Sequence, residues 1–280
     1  MKQNDEYELL DSGQEAKLER FGPFILERPC SQAVWKRETP EAWQKAHAKF
    51  SRIDDKRGSC AGDLPDSWTI QTAGIIFKLS MTDFGHLGIF PEQRPFWKWI
   101  RNTIQGTGRP IQLLNLFAYS GGVTLAAAQA GASVCHLDAS KGMVSWAREN
   151  CALNNLQEAP IRWIVEDVQK FIEREIRRNK RYDAIVLDPP SFGRGAQGEV
   201  FKIEAHINKL LDSLRGLLSE KPLFILFSCH TPGFTPTVLE HLLNQCTKGL
   251  KGNIDTGEML LEGHGLAIPS GAFARWVAHG

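Results

Sequence analysis

The stretch QLLNLFAYSGGVTLAAAQAG, residues 112–131, decides how this chain is built. Residues 112–117 form a short apolar run, which is typical of a strand buried on both faces. Gly121 and Gly122 permit a sharp turn, and the following residues have the pattern of a helix that ends at Gly131. A buried strand, a glycine turn and a helix in succession predict one βα unit of a parallel sheet.

Downstream of this unit, strand-like and helix-like segments alternate to the end of the chain. Further strands are predicted at 132–138, 161–167, 182–188 and 222–228, and two short strands at 257–263 and 273–279. Helices are predicted at 140–155, 168–179, 203–219 and 235–249. This alternation predicts an α/β, Rossmann-like core in which ligands bind beyond the carboxyl ends of the strands.

The first 85 residues have a different sequence pattern from the rest of the chain, because their short apolar runs are broken by glycine, proline and charged residues. Residues 7–13, 16–22 and 24–29 each read as a strand that ends at a turn, and further strand signals lie between 67 and 85. Thr39, followed by Pro40, predicts the start of a helix that runs to about Ser51. We therefore predict a small β-rich module over 1–85 and an α/β domain over 86–280.

The composition limits the class of protein but does not identify a substrate. The net charge is +1, which neither requires nor excludes a nucleic-acid partner. No Cys-x-x-Cys pair and no His-x-x-x-His pair occurs, so we predict no metal site. The opening MKQNDEYELL has no apolar segment after a basic start, and no run reaches the ~18 apolar residues of a membrane span. These features predict a cytoplasmic protein without a membrane partner, and they leave the oligomeric state open.

Acidic side chains follow three of the predicted core strands, and a glycine turn follows the first. Asp138 can accept hydrogen bonds from ribose hydroxyls, and Asp167 can accept one from an adenine amine. Asp188 is followed by Pro189 and Pro190, which fix the backbone after the strand, and by a Gly-x-Gly that suggests a flap over a site. Each feature also has a structural explanation: a tight turn for the glycines, and helix N-caps or dipole partners for Asp138 and Asp167.

Taken together, these strand ends resemble the class I S-adenosylmethionine (SAM) dependent methyltransferases over residues 85–280. Phe90-Pro91-Glu92-Gln93-Arg94 is similar to the Phe-x-x-Gln-Arg segment that precedes the core in bacterial ribosomal RNA cytosine-5 methyltransferases. That family normally carries an N-terminal PUA domain, which residues 1–85 do not resemble. The resemblance implies a mostly parallel seven-stranded sheet whose last strand is antiparallel, SAM as the cofactor, and RNA, in particular ribosomal RNA, as the partner.

The resemblance also implies which residues contact the cofactor. Asp188 would lie near the transferred methyl group and the substrate, and Gln93 and Arg94 would contribute from outside the core. The full set of implied cofactor-binding residues is Gln93, Arg94, Phe117, Tyr119, Ser120, Gly121, Asp138, Ala139, Ser140, Asp167, Val168, Asp188 and Pro189.

The acceptor atom is less clearly indicated. Ser191 stands directly after the prolines, where enzymes that methylate exocyclic amines of bases have an aromatic residue, although Phe192 can still stack on a base. Carbon 5 of cytosine needs a thiolate nucleophile, and Cys229 in Ser228-Cys229-His230 matches a Ser-Cys of the cytosine-5 family. We therefore predict Asp188 and Cys229 as catalytic residues. A small side chain that fills the end of a buried strand is the alternative for Cys229.

Four functions are compatible with these observations. The favoured one is a SAM-dependent methyltransferase that acts on a base of ribosomal RNA, with cytosine C5 as one candidate atom. The others are a SAM enzyme for a protein or small molecule, a nicotinamide oxidoreductase, and a silent SAM-binding module that docks RNA. Basic residues between Lys36 and Arg57 could face RNA, or they could form an ordinary solvated surface. The missing Gly-x-Gly-x-x-Gly counts against the oxidoreductase.

Overall fold

A computed structural model describes residues 5–53, 58–83, 85–194 and 198–279. The chain divides into two compact units, which we name the N-terminal unit (Met1–Pro95 with Leu260–Ser270) and the core unit (Phe96–Met259 with Gly271–Gly280). The domain boundary predicted between residues 85 and 86 stays a prediction, because compactness alone does not show which part folds independently. No helix in the described part of the chain is long and apolar enough to cross a bilayer.

The N-terminal unit is built on a five-stranded sheet in the order β1-β2-β3-β4-β5. Neighbouring strands pair antiparallel except for β3 and β4, which are parallel. A separate antiparallel pair, β6 and β7, follows it in the chain. The strands are β1 Tyr7–Gly13, β2 Ala16–Phe21, β3 Phe24–Pro29, β4 Ala48–Arg52, β5 Gly58–Gly62, β6 Trp68–Thr72 and β7 Ile75–Leu79. The β-rich module predicted from the sequence is therefore confirmed.

The helix predicted from Thr39 to about Ser51 is wrong. The chain forms one short 3-10 helix, Pro40–Lys45, and then the strand β4. Thr39 makes no side-chain cap, and its backbone N–H instead donates to Asp11 Oδ2 at 3.0 Å. Trp43 Nε1 donates to the same oxygen at 2.7 Å, which anchors the short helix on β1. The residues that follow alternate between buried and exposed, because β4 pairs with β3 and β5.

The core unit has the alternating architecture that the sequence predicts. A short 3-10 helix at the end of the N-terminal unit, Pro91–Gln93, leads directly into the first α-helix, most of which belongs to the core unit. The helices are α1 Arg94–Gln105, α2 Gly122–Gln129, α3 Lys141–Leu153, α4 Val168–Arg177, α5 Ile203–Arg215 and α6 Pro236–Cys246. The strands are β8 Gln112–Leu116, β9 Ser133–Asp138, β10 Ile161–Val165, β11 Ala184–Leu187, β12 Phe192–Arg194, β13 Val200–Lys202, β14 Phe224–Cys229, β15 Gly252–Leu261 and β16 Ile268–Ala278.

Seven of these strands form one sheet in the order β10-β9-β8-β11-β14-β16-β15. The five strands from β10 to β14 in this order are parallel, and β16 runs antiparallel to β14. The mostly parallel seven-stranded sheet with an antiparallel last strand is therefore confirmed. Strand order reverses at β8, so the carboxyl ends of β8, β9 and β11 meet at one edge, where an open α/β sheet binds its ligands.

Apolar side chains cover both faces of this sheet. One face packs against helices that include α5, through Leu114, Leu116, Leu187 and Phe227. The other face packs on Phe96 and Ile100 of α1, through Leu113, Val186 and Leu226. Because the strands are apolar on both sides, they pack between two layers of helices. β12 and β13 form a small antiparallel hairpin directly after the Asp188-Pro189-Pro190 segment.

Candidate active site

The loop after β8 holds an unusual backbone conformation. Phe117 and Tyr119 have positive φ angles of 56° and 50°, and Gly121, the N-cap of α2, has 94°. A positive φ angle at a non-glycine residue costs about 1 kcal/mol or more of folding free energy, so the surrounding contacts must hold the loop in this conformation. A Cβ on Gly121 would lie 3.1 Å from the Cβ of Ala147 on α3. The glycine therefore serves close packing of the loop on α3, which supports the tight-turn interpretation of this residue.

Asp138 is the residue that ties this loop to the next strand. Its Oδ2 accepts a hydrogen bond from the backbone N–H of Tyr119 at 2.9 Å, and its Oδ1 accepts one from Ser140 N–H at 2.8 Å. Burial raises the pKa of Asp138, and the two backbone N–H groups offset part of that rise. Each carboxylate oxygen has two lone pairs, so both oxygens keep one for a ligand hydroxyl. A ribose with two neighbouring hydroxyls fits this arrangement.

A buried polar network supports the same loop from below. Asn150 of α3 donates from Nδ2 to the carbonyl oxygen of Ser120 at 3.0 Å. Beside it, Asn115 Nδ2 donates to Thr124 Oγ1 at 3.0 Å, and that hydroxyl contacts His136 Nδ1 at 2.9 Å. Burial lowers the pKa of His136 to about 3, so its ring is neutral at physiological pH. Sequence reasoning did not find these residues, because polar side chains in buried strands and helices have no distinctive spacing.

Asp167 is the N-cap of α4, which is the structural explanation that the sequence offered for this residue. Its Oδ1 accepts hydrogen bonds from the backbone N–H groups of Gln169 and Lys170 at 3.0 and 3.1 Å. Val168 is the first residue of α4, and its side chain is buried in the core. A cavity of about 400 Å³ opens beside this cap, along β10 and the first turns of α4. Its lining includes Ala139 and Asp167, so two predicted cofactor residues share one concave surface.

The segment after β11 forms the other side of the sheet edge. Asp188 Oδ1 lies 3.3 Å from Nδ1 of His230, which directly follows β14. Ser191 Oγ lies 2.8 Å from Thr231 Oγ1, so a second contact joins the same two loops. Pro189 is buried, whereas Ser191 and Phe192 are exposed. His230 is a residue whose position the sequence left undecided, because neighbouring residues of a strand point to opposite faces.

Cys229 contacts Thr231 of the loop after β14, but its surroundings disfavour the thiolate form of its side chain. Its side chain is 1% exposed, and the backbone N–H of Thr231 donates to its Sγ at 3.4 Å. Burial raises the pKa of the thiol, the hydrogen bonds from Thr231 offset only part of that rise, and the nearby negative charge of Asp188 adds to it. Burial and this charge favour the neutral thiol, which is a poor nucleophile. The geometry therefore resembles that of a packing cysteine at the end of a buried strand.

The β12–β13 hairpin links the two sides of the edge. Phe201 of β13 packs on Phe117, with ring centroids 5.1 Å apart. On β12, Phe192 presents a side chain that is 48% exposed, and the Arg194 guanidinium lies 5.7 Å from its ring centre. The Gly-x-Gly predicted as a flap begins with Gly193 in β12, and Gly195 lies outside the described residues.

Gln93 and Arg94 lie in the N-terminal unit, where both are engaged. Gln93 is buried, and its backbone N–H donates to Phe90 O at 3.0 Å. Arg94 Nη1 lies 3.2 Å from Asp5 Oδ2, and the guanidinium stacks over the Tyr7 ring at 4.5 Å. The contacts predicted between these two residues and the cofactor stay predictions.

The strand order, the ribose-compatible Asp138 and the rigid Asp-Pro-Pro edge define a Rossmann-like enzyme that binds a nucleoside-containing cofactor. A sequence profile of the S-adenosylmethionine-dependent methyltransferase family, Methyltrans_SAM, matches residues 34–246. The chain belongs to this family, and its cofactor is S-adenosyl-L-methionine.

Solved structures and named relatives agree with this assignment. A SAM-dependent methyltransferase from Agrobacterium tumefaciens is 38% identical, with a TM-score of 0.94 over 98% of this chain and 91% of that one. SMU.776, solved with S-adenosylhomocysteine, shares the fold at 20% identity, with a TM-score of 0.78 over 98% of this chain and 76% of that one. Ribosomal RNA large subunit methyltransferase K of Neisseria meningitidis is 26% identical over 83% of this chain and 67% of its own length.

A larger protein also contains a region similar to this chain. Ribosomal RNA large subunit methyltransferase K/L of Colwellia psychrerythraea is 28% identical over 70% of this chain and 26% of its own length. The chain thus spans about a quarter of the length of the K/L relatives that it matches.

Proposed function

We propose that this methyltransferase acts on a base in ribosomal RNA. The observation that carries the proposal is Phe192, an exposed aromatic ring held two residues beyond the Asp-Pro-Pro segment. An exposed ring at the acceptor side of the site offers a stacking surface for an unpaired base, a contact worth about 1–3 kcal/mol. The relatives named as ribosomal RNA methyltransferases support the same substrate class.

The cofactor would be held by the loops after β8, β9 and β10. Asp138 would accept the ribose hydroxyls, the loop from Phe117 to Gly121 would line the methionine part, and Ala139 and Asp167 would face the adenine. When bound, S-adenosyl-L-methionine supplies an electrophilic methyl group. Asp188 and Pro189 would define the edge at which the acceptor base approaches, and the hairpin with Phe192 would keep that base in place.

The direct test is transfer of labelled methyl groups to large-subunit ribosomal RNA by the purified protein. Digestion of the RNA to nucleosides and mass spectrometry would identify the base and the atom. We expect incorporation into one nucleoside, and none from an Asp188→Asn variant that still binds S-adenosylhomocysteine. Incorporation into protein or a small molecule, with none into RNA, would support the alternative substrate classes instead.

Carbon 5 of cytosine is the second candidate acceptor, because Cys229 adjoins His230 and lies near Asp188. This chemistry needs a Cys229 thiolate, which burial disfavours. We therefore expect a Cys229→Ala variant to keep methyl transfer within about threefold of the wild-type rate. Complete loss of transfer with intact cofactor binding, together with 5-methylcytidine as the wild-type product, would establish the nucleophile role.

A further inference from the structure

The contact between Asp188 and His230 joins the two loops that form the acceptor side of the sheet edge. β11 and β14 are parallel neighbours, with Leu187 opposite Phe227, so both loops leave the sheet at the same level. The carboxylate Oδ1 and the imidazole Nδ1 lie 3.3 Å apart. The adjacent contact between Ser191 and Thr231, at 2.8 Å, holds the same loops together one step further out.

This geometry decides which ring nitrogen of His230 can act. The 3.3 Å separation is an ion-pair distance, and a carboxylate beside Nδ1 favours the tautomer that is protonated on that nitrogen. Nε2 then keeps its lone pair and can take a proton from another molecule. The side chain of His230 is 33% exposed, so the ring is accessible from outside the protein, whereas the Cys229 side chain is not.

Methylation of a base nitrogen that carries a hydrogen, such as an exocyclic amine, requires that a proton be removed. A nitrogen that gains a methyl group while it still carries its hydrogen becomes positively charged, and the neutral product forms when a base takes that hydrogen. Imidazole is suited to this task because it changes charge near neutral pH. A carboxylate that contacts the opposite ring nitrogen stabilises the imidazolium that results, as in other Asp–His pairs.

We propose that His230 is the catalytic base of the methyl transfer and that Asp188 is its positioning residue. The lone pair of the acceptor nitrogen forms the new bond to the methyl carbon, and the electron pair of the broken carbon–sulfur bond leaves with sulfur. The proton of the acceptor nitrogen goes to Nε2 of His230 and later to solvent. This inference rests on the proposed function and narrows it, because it requires as the acceptor a base nitrogen that carries a hydrogen.

The kinetic test compares His230→Gln with wild type and with His241→Gln, a control on the exposed surface of α6. We expect His230→Gln to lower kcat by about 100-fold or more, the usual contribution of a general base. The affinity for S-adenosylhomocysteine should stay within about twofold, which would also show that the variant is folded. The acidic limb of the pH–rate profile should disappear in this variant and persist in the control. An unchanged kcat with the acidic limb retained would overturn the proposal.

A second measurement tests the pair without turnover. The titratable groups that face the His230 ring include the Asp188 carboxylate and the Cys229 thiol. Titration of the ring by ¹⁵N-edited NMR should place the proton of the neutral form on Nδ1 in wild type. The titration midpoint should fall in Asp188→Asn, where the stabilising charge is lost. An identical titration in the two proteins would overturn the pairing, whether or not ribosomal RNA proves to be the substrate.

Discussion

The two sides of the ligand edge are built in different ways. On the cofactor side, formed by the loops after β8, β9 and β10, backbone N–H groups satisfy the carboxylates of Asp138 and Asp167. On the acceptor side, formed by the loops after β11 and β14, side chains contact side chains, as in the pair Asp188 and His230. Backbone contacts fix a loop to a single geometry, whereas side-chain contacts leave groups able to exchange protons. This difference predicts a rigid cofactor side and an acceptor side whose groups can exchange protons.

Substitution of Asp138 should have the largest effect on the cofactor side. Asp138→Ala removes the acceptor of two backbone N–H groups and of the ribose hydroxyls. A hydrogen bond to a charged group contributes about 1.5–3 kcal/mol, so the affinity for S-adenosylhomocysteine should fall by about 100-fold or more. Isothermal titration would measure this, with Asp255→Ala, an exposed aspartate of β15, as the control. An unchanged affinity would mean that Asp138 has only a structural role.

Phe192 tests the acceptor side by itself. Phe192→Ala should raise the KM for ribosomal RNA by about tenfold, because one stacking contact is lost, and should leave the affinity for S-adenosylhomocysteine unchanged. Phe192→Tyr should behave like wild type. Val200, 46% exposed on the facing strand, offers a matched control as Val200→Ala. If the two alanine variants had equal effects on KM, general surface contact would explain them better than stacking.

The support beneath the cofactor loop predicts a smaller effect. Asn150→Ala removes the hydrogen bond to the Ser120 carbonyl and leaves a buried acceptor without it, a loss of about 1–2 kcal/mol. We expect the KM for S-adenosyl-L-methionine to rise by roughly tenfold while kcat changes little, because the loss concerns binding geometry. Steady-state kinetics at saturating RNA would separate the two parameters. A fall in kcat alone would contradict the separation of binding from chemistry.

The pH dependence of cofactor binding should be the mildest of these effects. The ribose hydroxyls need the Asp138 carboxylate in its charged form, and burial raises the pKa of this group. Affinity should therefore decline as the pH falls through that raised pKa, by at most about tenfold per pH unit. The decline should begin at a higher pH than for an ordinary aspartate. Titration with S-adenosylhomocysteine in wild type and Asp138→Asn would check this, since the asparagine variant should lack the decline.

The order of elements in the core unit follows from local patterns in the sequence. Apolar strands alternate with amphipathic helices, and this pattern depends only on local periodicity and on burial of both sheet faces. The positions of Asp138, Asp167 and Asp188 followed, because parallel strands end at one edge. The helix prediction between Thr39 and Ser51 was wrong, because the pairing of β4 with β3 and β5 outweighed a local helix signal.

Which side chains meet at that edge depends on how the elements pack in three dimensions. His230 and Asp188 are far apart in the chain, and their contact depends on β11 and β14 lying side by side. The burial of Cys229, which disfavours its thiolate, and the bond from Asn150 to Ser120 likewise depend on packing between distant elements. Periodicity gives the face on which a residue lies, whereas contacts between loops depend on side-chain direction and register, which no single segment specifies.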